Sequence, residues 1–174
     1  GLGGGFTAVR GGGLAVTSAA EPFFSRAGKA LRPIHKVSDN VPKFQQAVWV
    51  VNPQFAKANP EAVKGFLRAR EAAVNWIAAN LDEAAKLYAE KAEIPLPAAL
   101  ATLRAMADSG GVKSYYGVGF DQEAMEAAIE GMRLLGSLKP DQAVPWKDIL
   151  DQTFLPADAP RVDVGKFSNP QRAK

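Results

Sequence analysis

The amino-acid sequence predicts an α/β fold that is rich in helix and has short, mostly buried strands. The first observation is Ala47–Val51, an apolar run of β-branched and aromatic residues that is closed by Asn52-Pro53. Such a run is typical of a strand covered on both faces. The other two observations are a sharply started helix after this run and two shorter apolar runs before it.

The helix is predicted to begin at Asn59-Pro60-Glu61. Asn can cap free N–H groups, Pro fits the first helical position, and Glu favours the positive end of the helix dipole. Apolar side chains then recur at helical spacing, which predicts that one face lies on a sheet. These side chains are Val63, Phe66, Leu67, Val74 and Ile77.

The shorter runs, Leu14–Ser18 and Leu31–Val37, predict two further strands, and Pro33 places the second of them at a sheet edge. Caps and glycines predict the remaining helices. They are expected at Phe6–Arg10, at Pro22–Ala27, from Asp82, at Pro95–Met106, at Asp121–Leu135 and at Trp146–Leu150. A helical adaptor or solenoid remains a competing interpretation, although no internal repeat of fixed period is found.

Composition excludes several classes of function. The 174 residues are 47% hydrophobic and 22% charged, which is ordinary for a globular protein. The net charge of +3 comes from Lys and Arg that are spread along the chain, so nucleic acid is not an expected partner. No cysteine is present, which excludes disulfides, thiolate catalysis and zinc sites that need Cys.

Motifs for cofactors and metals are also missing. His35 is the single histidine, so neither a catalytic triad nor a metal site is predicted, and no catalytic residue is assigned. The glycine clusters do not complete a dinucleotide or phosphate-binding loop, and we expect no cofactor. No run reaches the roughly 20 apolar residues of a membrane span. The opening GLGGGF lacks the pattern of a secretion signal, so any export signal is expected outside this chain.

The strongest candidate for a ligand site is the segment that follows the first predicted strand. It offers hydroxyls, free backbone N–H groups and one carboxylate at the end of a strand, where α/β proteins place ligand loops. A structural turn in which Glu21 caps the next helix is an equally weighted alternative. The candidate ligand-binding residues are Thr17, Ser18, Ala19, Glu21 and Pro22.

Tyr115 and Tyr116 are a second candidate, because aromatic rings can wall a small-ligand pocket and their hydroxyls can orient the ligand. Core packing is the commoner role for such rings. Asp39 and Asn40 lie in a polar, Pro-containing stretch and are possible hinge residues.

Three passages carry a resemblance to a known family. In Ala47–Asn80, the apolar run is followed by Pro-x-Phe-Ala-x-x-x-Pro-Glu-x-Val-x-x-Phe-Leu and a Trp-bearing helix. Phe6–Pro22 contains a glycine-ended helix, a short strand and an "EP" step, and Ser114–Pro156 contains a last long helix with Trp and Leu-Pro elements. Together they resemble the periplasmic substrate-binding proteins of ABC importers, in the branch for nitrate, sulfonate, taurine and thiamine-precursor pyrimidines.

The resemblance implies the C-terminal half of a two-lobed periplasmic-binding-protein-like fold, with the N-terminal half absent from this chain. Residues 1–45 are then part of the second lobe, residues 46–110 return to the first lobe, and residues 111–174 close the fold. A helix and strands lacking their usual cover are expected to bind the missing half or to self-associate by exchange.

The same resemblance implies a periplasmic solute-binding component that delivers a small ligand to a membrane permease and is not an enzyme. Glu21 suits an amine or aminopyrimidine, whereas Thr17, Ser18 and backbone N–H groups suit a sulfonate or nitrate. One alternative is an enzyme resembling the pyrimidine synthases of thiamine biosynthesis, which share this fold but carry a cysteine-rich motif. Another alternative is a stand-alone helical interaction module.

Overall fold

The computed structural model describes residues 2–45, 47–108 and 116–167, and within these ranges the chain is helical with irregular connections. Two short 3₁₀ turns lie at Gly28–Ala30 and Val37–Asp39. The α-helices are α1 (Leu2–Arg10), α2 (Phe23–Ala27), α3 (Pro53–Ala58), α4 (Pro60–Ala79), α5 (Leu81–Ala92), α6 (Leu96–Asp108), α7 (Gln122–Leu134) and α8 (Trp146–Ile149).

Most helix boundaries predicted from local signals are confirmed. Helix α4 begins at Pro60, and α7 begins after Asp121, whose Oδ1 accepts from the Ala124 N–H at 2.9 Å. Asn59 precedes α4 but uses its side chain differently, because its Nδ2 donates to the Phe55 carbonyl at 3.2 Å. Gly136 has a φ of 73°, which suits the glycine predicted to end α7.

The prediction of an α/β fold with buried strands is wrong for the described part of the chain, which contains no β-strand. The segment Ala47–Val51 is exposed along its whole length, and Val50 is 88% exposed. Its Trp49 ring meets the Phe66 ring of α4 edge-on, with centroids 5.0 Å apart. A strand needs a second backbone to pair with, and no described segment pairs with this one.

The other two predicted strands are corrected for the same reason. Leu14–Ser18 and Leu31–Val37 form no backbone ladder with any described residue, and Val16 and Ile34 are 62% and 66% exposed. Because no sheet is present among the described residues, most of the apolar face of α4 is not covered. Within α4, Val74 is buried, at 2% exposure.

The chain divides into two compact units, of which the first comprises Gly1–Ile34 and Ala72–Gly117. Its core lies where α5 packs on α6, and α2 also contacts α6. Small alanines on both helices allow their backbones to approach closely. The buried core residues are Ala84, Ala85, Ile94, Ala99 and Leu103.

The second unit comprises His35–Glu71 and Val118–Lys174. Met125 of α7 packs with Val162 and Phe167, and the Trp146 ring stacks on Phe167 with centroids 4.3 Å apart. The Gln152 side chain binds both backbone groups of Val162, donating to its carbonyl at 2.9 Å and accepting from its N–H at 2.8 Å. These contacts hold residues 146–167 together and against α7.

Across the described ranges, no helix combines the length and apolar character needed to cross a membrane. The lobe assignment of residues 1–45, 46–110 and 111–174 stays a prediction.

Candidate functional site

Glu21 lies at the end of the loop between α1 and α2, and its carboxylate binds two groups through one oxygen. Oε2 accepts from the Ser25 N–H at 3.0 Å and from the Thr102 hydroxyl at 3.3 Å. Ser25 belongs to the first turn of α2, so Glu21 caps this helix as the structural alternative predicted. The same contact with Thr102 ties the loop to α6.

Thr102 is fully buried, with 0% exposure. Its hydroxyl lies 2.8 Å from the Ala98 carbonyl oxygen as well as 3.3 Å from Glu21 Oε2. A hydroxyl has one proton to donate, and both neighbours are acceptors when the carboxyl is ionised. The proton is therefore shared between a helix carbonyl and the Glu21 carboxylate.

The two carboxylate oxygens of Glu21 differ in their contacts with the described residues. No residue in the described ranges donates a hydrogen bond to Oε1, and none forms an ion pair with this carboxylate. Glu21 is half-buried. A carboxylate that is anchored through one oxygen and open at the other can accept a hydrogen bond in a fixed direction.

Tyr88 of α5 lies within electrostatic reach of Glu21. Burial raises the pKa of the Tyr88 phenol, and the Glu21 charge raises this pKa further. The phenol therefore stays neutral at neutral pH, and it can both donate and accept a hydrogen bond. Within the described part of the chain its hydroxyl has no hydrogen-bond partner, and the Tyr88 ring packs against the core cluster between α5 and α6.

Four more predicted site residues lie in the same loop. Ser18 and Ala19 are exposed, whereas Thr17 and Pro22 are half-buried. Thr17 packs so closely on Gly5 of α1 that a Cβ at Gly5 would collide with the Thr17 hydroxyl. Thr17 therefore positions the loop on α1, and its hydroxyl faces the Ser18 carbonyl at 3.3 Å.

The remaining predicted site residues are Tyr115, Tyr116, Asp39 and Asn40. Tyr115 lies outside the described residues, and the Tyr116 hydroxyl donates to the Met106 sulfur at 3.1 Å. Asp39 ends the 3₁₀ turn at Val37–Asp39 in the second unit, and the Asn40 N–H donates to the Val37 carbonyl at 3.1 Å. Their ligand and hinge roles stay predictions.

Sequence reasoning missed Thr102 and Tyr88. A signal for Thr102 exists, because it is a polar residue among Ala98, Ala99 and Leu103 on the buried face of a helix. A buried hydroxyl needs a partner, so such a position predicts a hydrogen bond to another element. For Tyr88 the sequence offers no comparable signal, since partly buried tyrosines are common on amphipathic helices.

A metal site and a surface depression are the alternatives to the Glu21 loop. Among the described residues, no cluster of three or more His, Asp or Glu side chains could hold a metal ion. A shallow depression of about 630 Å³ in the second unit is lined by Lys147, Asp148, Leu150, Asp151, Gln152, Thr153 and Val164. It contains none of the predicted site residues.

Comparison with known families bears on the Glu21 loop directly. Residues 8–84 match the NMT1/THI5-like family. This confirms the family resemblance over a range that contains Thr17–Pro22 and the apolar run Ala47–Val51. Tyr88 and Thr102 lie beyond the NMT1/THI5-like range. No curated protein and no solved structure matches the chain.

Proposed function

We propose that this protein is a solute-binding component of an ABC importer and that it holds a small ligand at Glu21. The observation that carries the proposal is the Glu21 carboxylate, which is anchored through Oε2 and has no donor on Oε1 among the described residues. This carboxylate lies within the NMT1/THI5-like range, and a polar group fixed in this way is what orients a small solute.

The ligand comes from the set that the resemblance implies: nitrate, a sulfonate, taurine or a pyrimidine precursor. The loaded protein docks on a membrane permease, and its location is the periplasm. We further propose that the protein is not an enzyme. Binding needs one oriented carboxylate, and it needs no nucleophile beside a base.

The exposed apolar segments support a proposal about partners. Ala47–Val51, Leu14–Ser18 and Leu31–Val37 have the composition of buried strands, but most of their residues are exposed in the described structure. We propose that they are contact surfaces for further residues of the same protein or for a second copy. Exposed apolar segments of this kind commonly mark interaction surfaces.

A melting-shift screen tests the importer function. The full protein is heated with nitrate, taurine, ethanesulfonate, benzoate and 4-aminopyrimidine, each at millimolar concentration. A bound solute raises the melting temperature, because it stabilises the folded state alone. A rise with one solute supports the proposal, and the absence of a shift with every solute contradicts it.

The all-helical character of the described ranges favours a second candidate, a helical interaction module. This candidate predicts a stable monomer with no response to any solute. Light scattering and the same screen therefore separate the two functions.

A further inference from the structure

We infer that two copies of this chain associate through one apolar face of the second unit, with the first halves of their α4 helices packed antiparallel. The Trp49–Phe66 face, as we call it, consists of Val48–Val51, Ala62, Phe66 and Ala69. The inference does not depend on solute binding at Glu21. It commits the segment Ala47–Val51 to one of its two possible occupants, a second copy.

The face is built around two aromatic rings that touch each other and are open to solvent. The Trp49 and Phe66 rings meet edge-on with centroids 5.0 Å apart, so the segment before α3 lies against α4 here. Trp49 nevertheless remains 59% exposed and Phe66 48% exposed. An exposed aromatic pair inside an apolar segment is typical of an interaction surface.

The α4 part of the face is self-complementary in shape. Phe66 lies between two exposed alanines, Ala62 four residues earlier and Ala69 three residues later. Since a helical turn contains 3.6 residues, both alanines lie within about 60° of Phe66 around the helix. When a second copy packs antiparallel, the Phe66 ring of each copy can fit beside an alanine of the other, as a knob enters a hole.

The charged side chains of this half of α4 do not oppose the pairing. Glu61, Lys64 and Arg68 lie about 140–160° around the helix from Phe66, so they are directed away from the face. Arg70 borders the face, and its guanidinium lies over the Trp49 ring at 5.3 Å from the centroid. This cation is therefore placed against an aromatic ring of its own copy.

The size of the face suits a pair of copies. An aromatic side chain buries about 150–250 Å² when it is covered, so Trp49 and Phe66 together leave about 200 Å² uncovered. Val48, Val50 and Val51 add to this apolar surface. The sum is a large part of the roughly 800 Å² that each partner buries in a stable complex, and a polar rim supplies the remainder. Closed two-fold pairs are also the commonest oligomers.

Cross-linking of single-cysteine variants of the full chain tests the inference. The chain contains no cysteine, so an introduced thiol marks one position. Ala69→Cys places the thiol on the face, and Arg68→Cys places it on the far side of the same helix at a position that is also exposed. With a short bifunctional maleimide, we expect Ala69→Cys to give at least about five times as much product of twice the chain mass as Arg68→Cys.

A second pair of variants tests whether the face drives the association. Ala69→Glu brings a carboxylate from each copy into the face and should weaken the association about tenfold or more. Arg68→Glu introduces the same side chain on the far side and should leave the association within about twofold. Glu is a good helix former, so both variants keep α4. Sedimentation velocity over a range of concentrations measures the effect.

The outcomes are decisive in both directions. A mass that rises with concentration and stops at twice the chain mass, together with cross-linking at residue 69, supports the inference. A chain that stays monomeric overturns it, and the face then belongs to further residues of the same protein or to a different partner. Growth beyond two copies, or equal cross-linking at residues 68 and 69, also overturns it. The solute screen reports on the Glu21 loop, so either account can fail alone.

Discussion

The Thr102 hydroxyl lies 3.3 Å from Oε2 of Glu21, although 81 residues separate the two in the sequence. This contact joins the loop after α1 to the buried face of α6. Glu21 has a local role, because it caps α2 through the Ser25 N–H. It also has a long-range role, because Thr102 of α6 holds the same carboxylate. The candidate site therefore depends on the packing of the first unit.

The coupling between Thr102 and Glu21 can be measured by a double-mutant cycle. Thr102→Val should lower the free energy of unfolding by about 1 kcal/mol, because a hydrogen bond is lost while the side-chain volume is kept. The cycle with Glu21→Gln should give a coupling of about 0.5–1 kcal/mol. Urea unfolding measures both quantities, and additive effects of the two substitutions would contradict the contact.

Gly5 and Gly4 of α1 offer a matched pair. Gly5→Ala should destabilise the protein by about 1–3 kcal/mol, because the new Cβ collides with Thr17. Gly4→Ala meets no atom within 4 Å and should stabilise the helix by up to about 1 kcal/mol. Thermal unfolding of both variants checks this, and equal effects would show that Thr17 does not pack on α1.

The pH dependence of stability follows from Tyr88. Its pKa is raised by burial and then by the Glu21 charge, so the folded state holds the phenol proton more tightly than the unfolded state. The resulting stability is present below the ordinary phenol pKa of about 10 and is lost as the pH rises toward the higher folded pKa.

Glu21→Gln removes one of these causes and leaves burial in place. The pKa of Tyr88 should therefore fall toward its ordinary value but remain above it. Carbon NMR of labelled tyrosine rings follows the titration, and Tyr88→Phe identifies the resonance. If the pKa of Tyr88 did not change in Glu21→Gln, the Glu21 charge would not act on the Tyr88 phenol, and the prediction would be wrong.

The exposed segment Val48–Val51 should cause the protein to self-associate. Val50→Lys places a charge in the middle of this segment and should lower the mean mass seen by light scattering. Leu135→Lys is the control, because Leu135 is equally prominent at 84% exposure but lies outside the segment. A monodisperse monomer at all concentrations, or an equal effect of both substitutions, would contradict the prediction.

The sequence predicts features whose causes lie within a few residues of each other. The start of α4 at Pro60, the Asp121 cap of α7 and the glycine after it are confirmed for this reason. Each depends on backbone groups one to four residues away. Glu21 was likewise predicted both as a site residue and as a cap of α2, and its cap bond spans four residues.

The predictions that failed or were missed depend on distant residues. Ala47–Val51 has the composition of a strand, but a strand requires a partner backbone that no local pattern specifies. Thr102 is a threonine in an alanine-rich helix, and nothing near it in the sequence names Glu21 as its partner. The contact of Thr102 with Glu21 could therefore be found only from the packing of α6 in the structure.

The central claim is that a small solute binds at Glu21, and the amide resonance of Ser25 tests it most directly. This N–H donates to Glu21 Oε2, so a ligand on the same carboxylate should change its chemical shift. With a saturating concentration of the solute that raises the melting temperature, we expect the largest changes at Ser25 and near Thr102. An unchanged Ser25 resonance, with shifts confined to residues 118–167, would contradict the account.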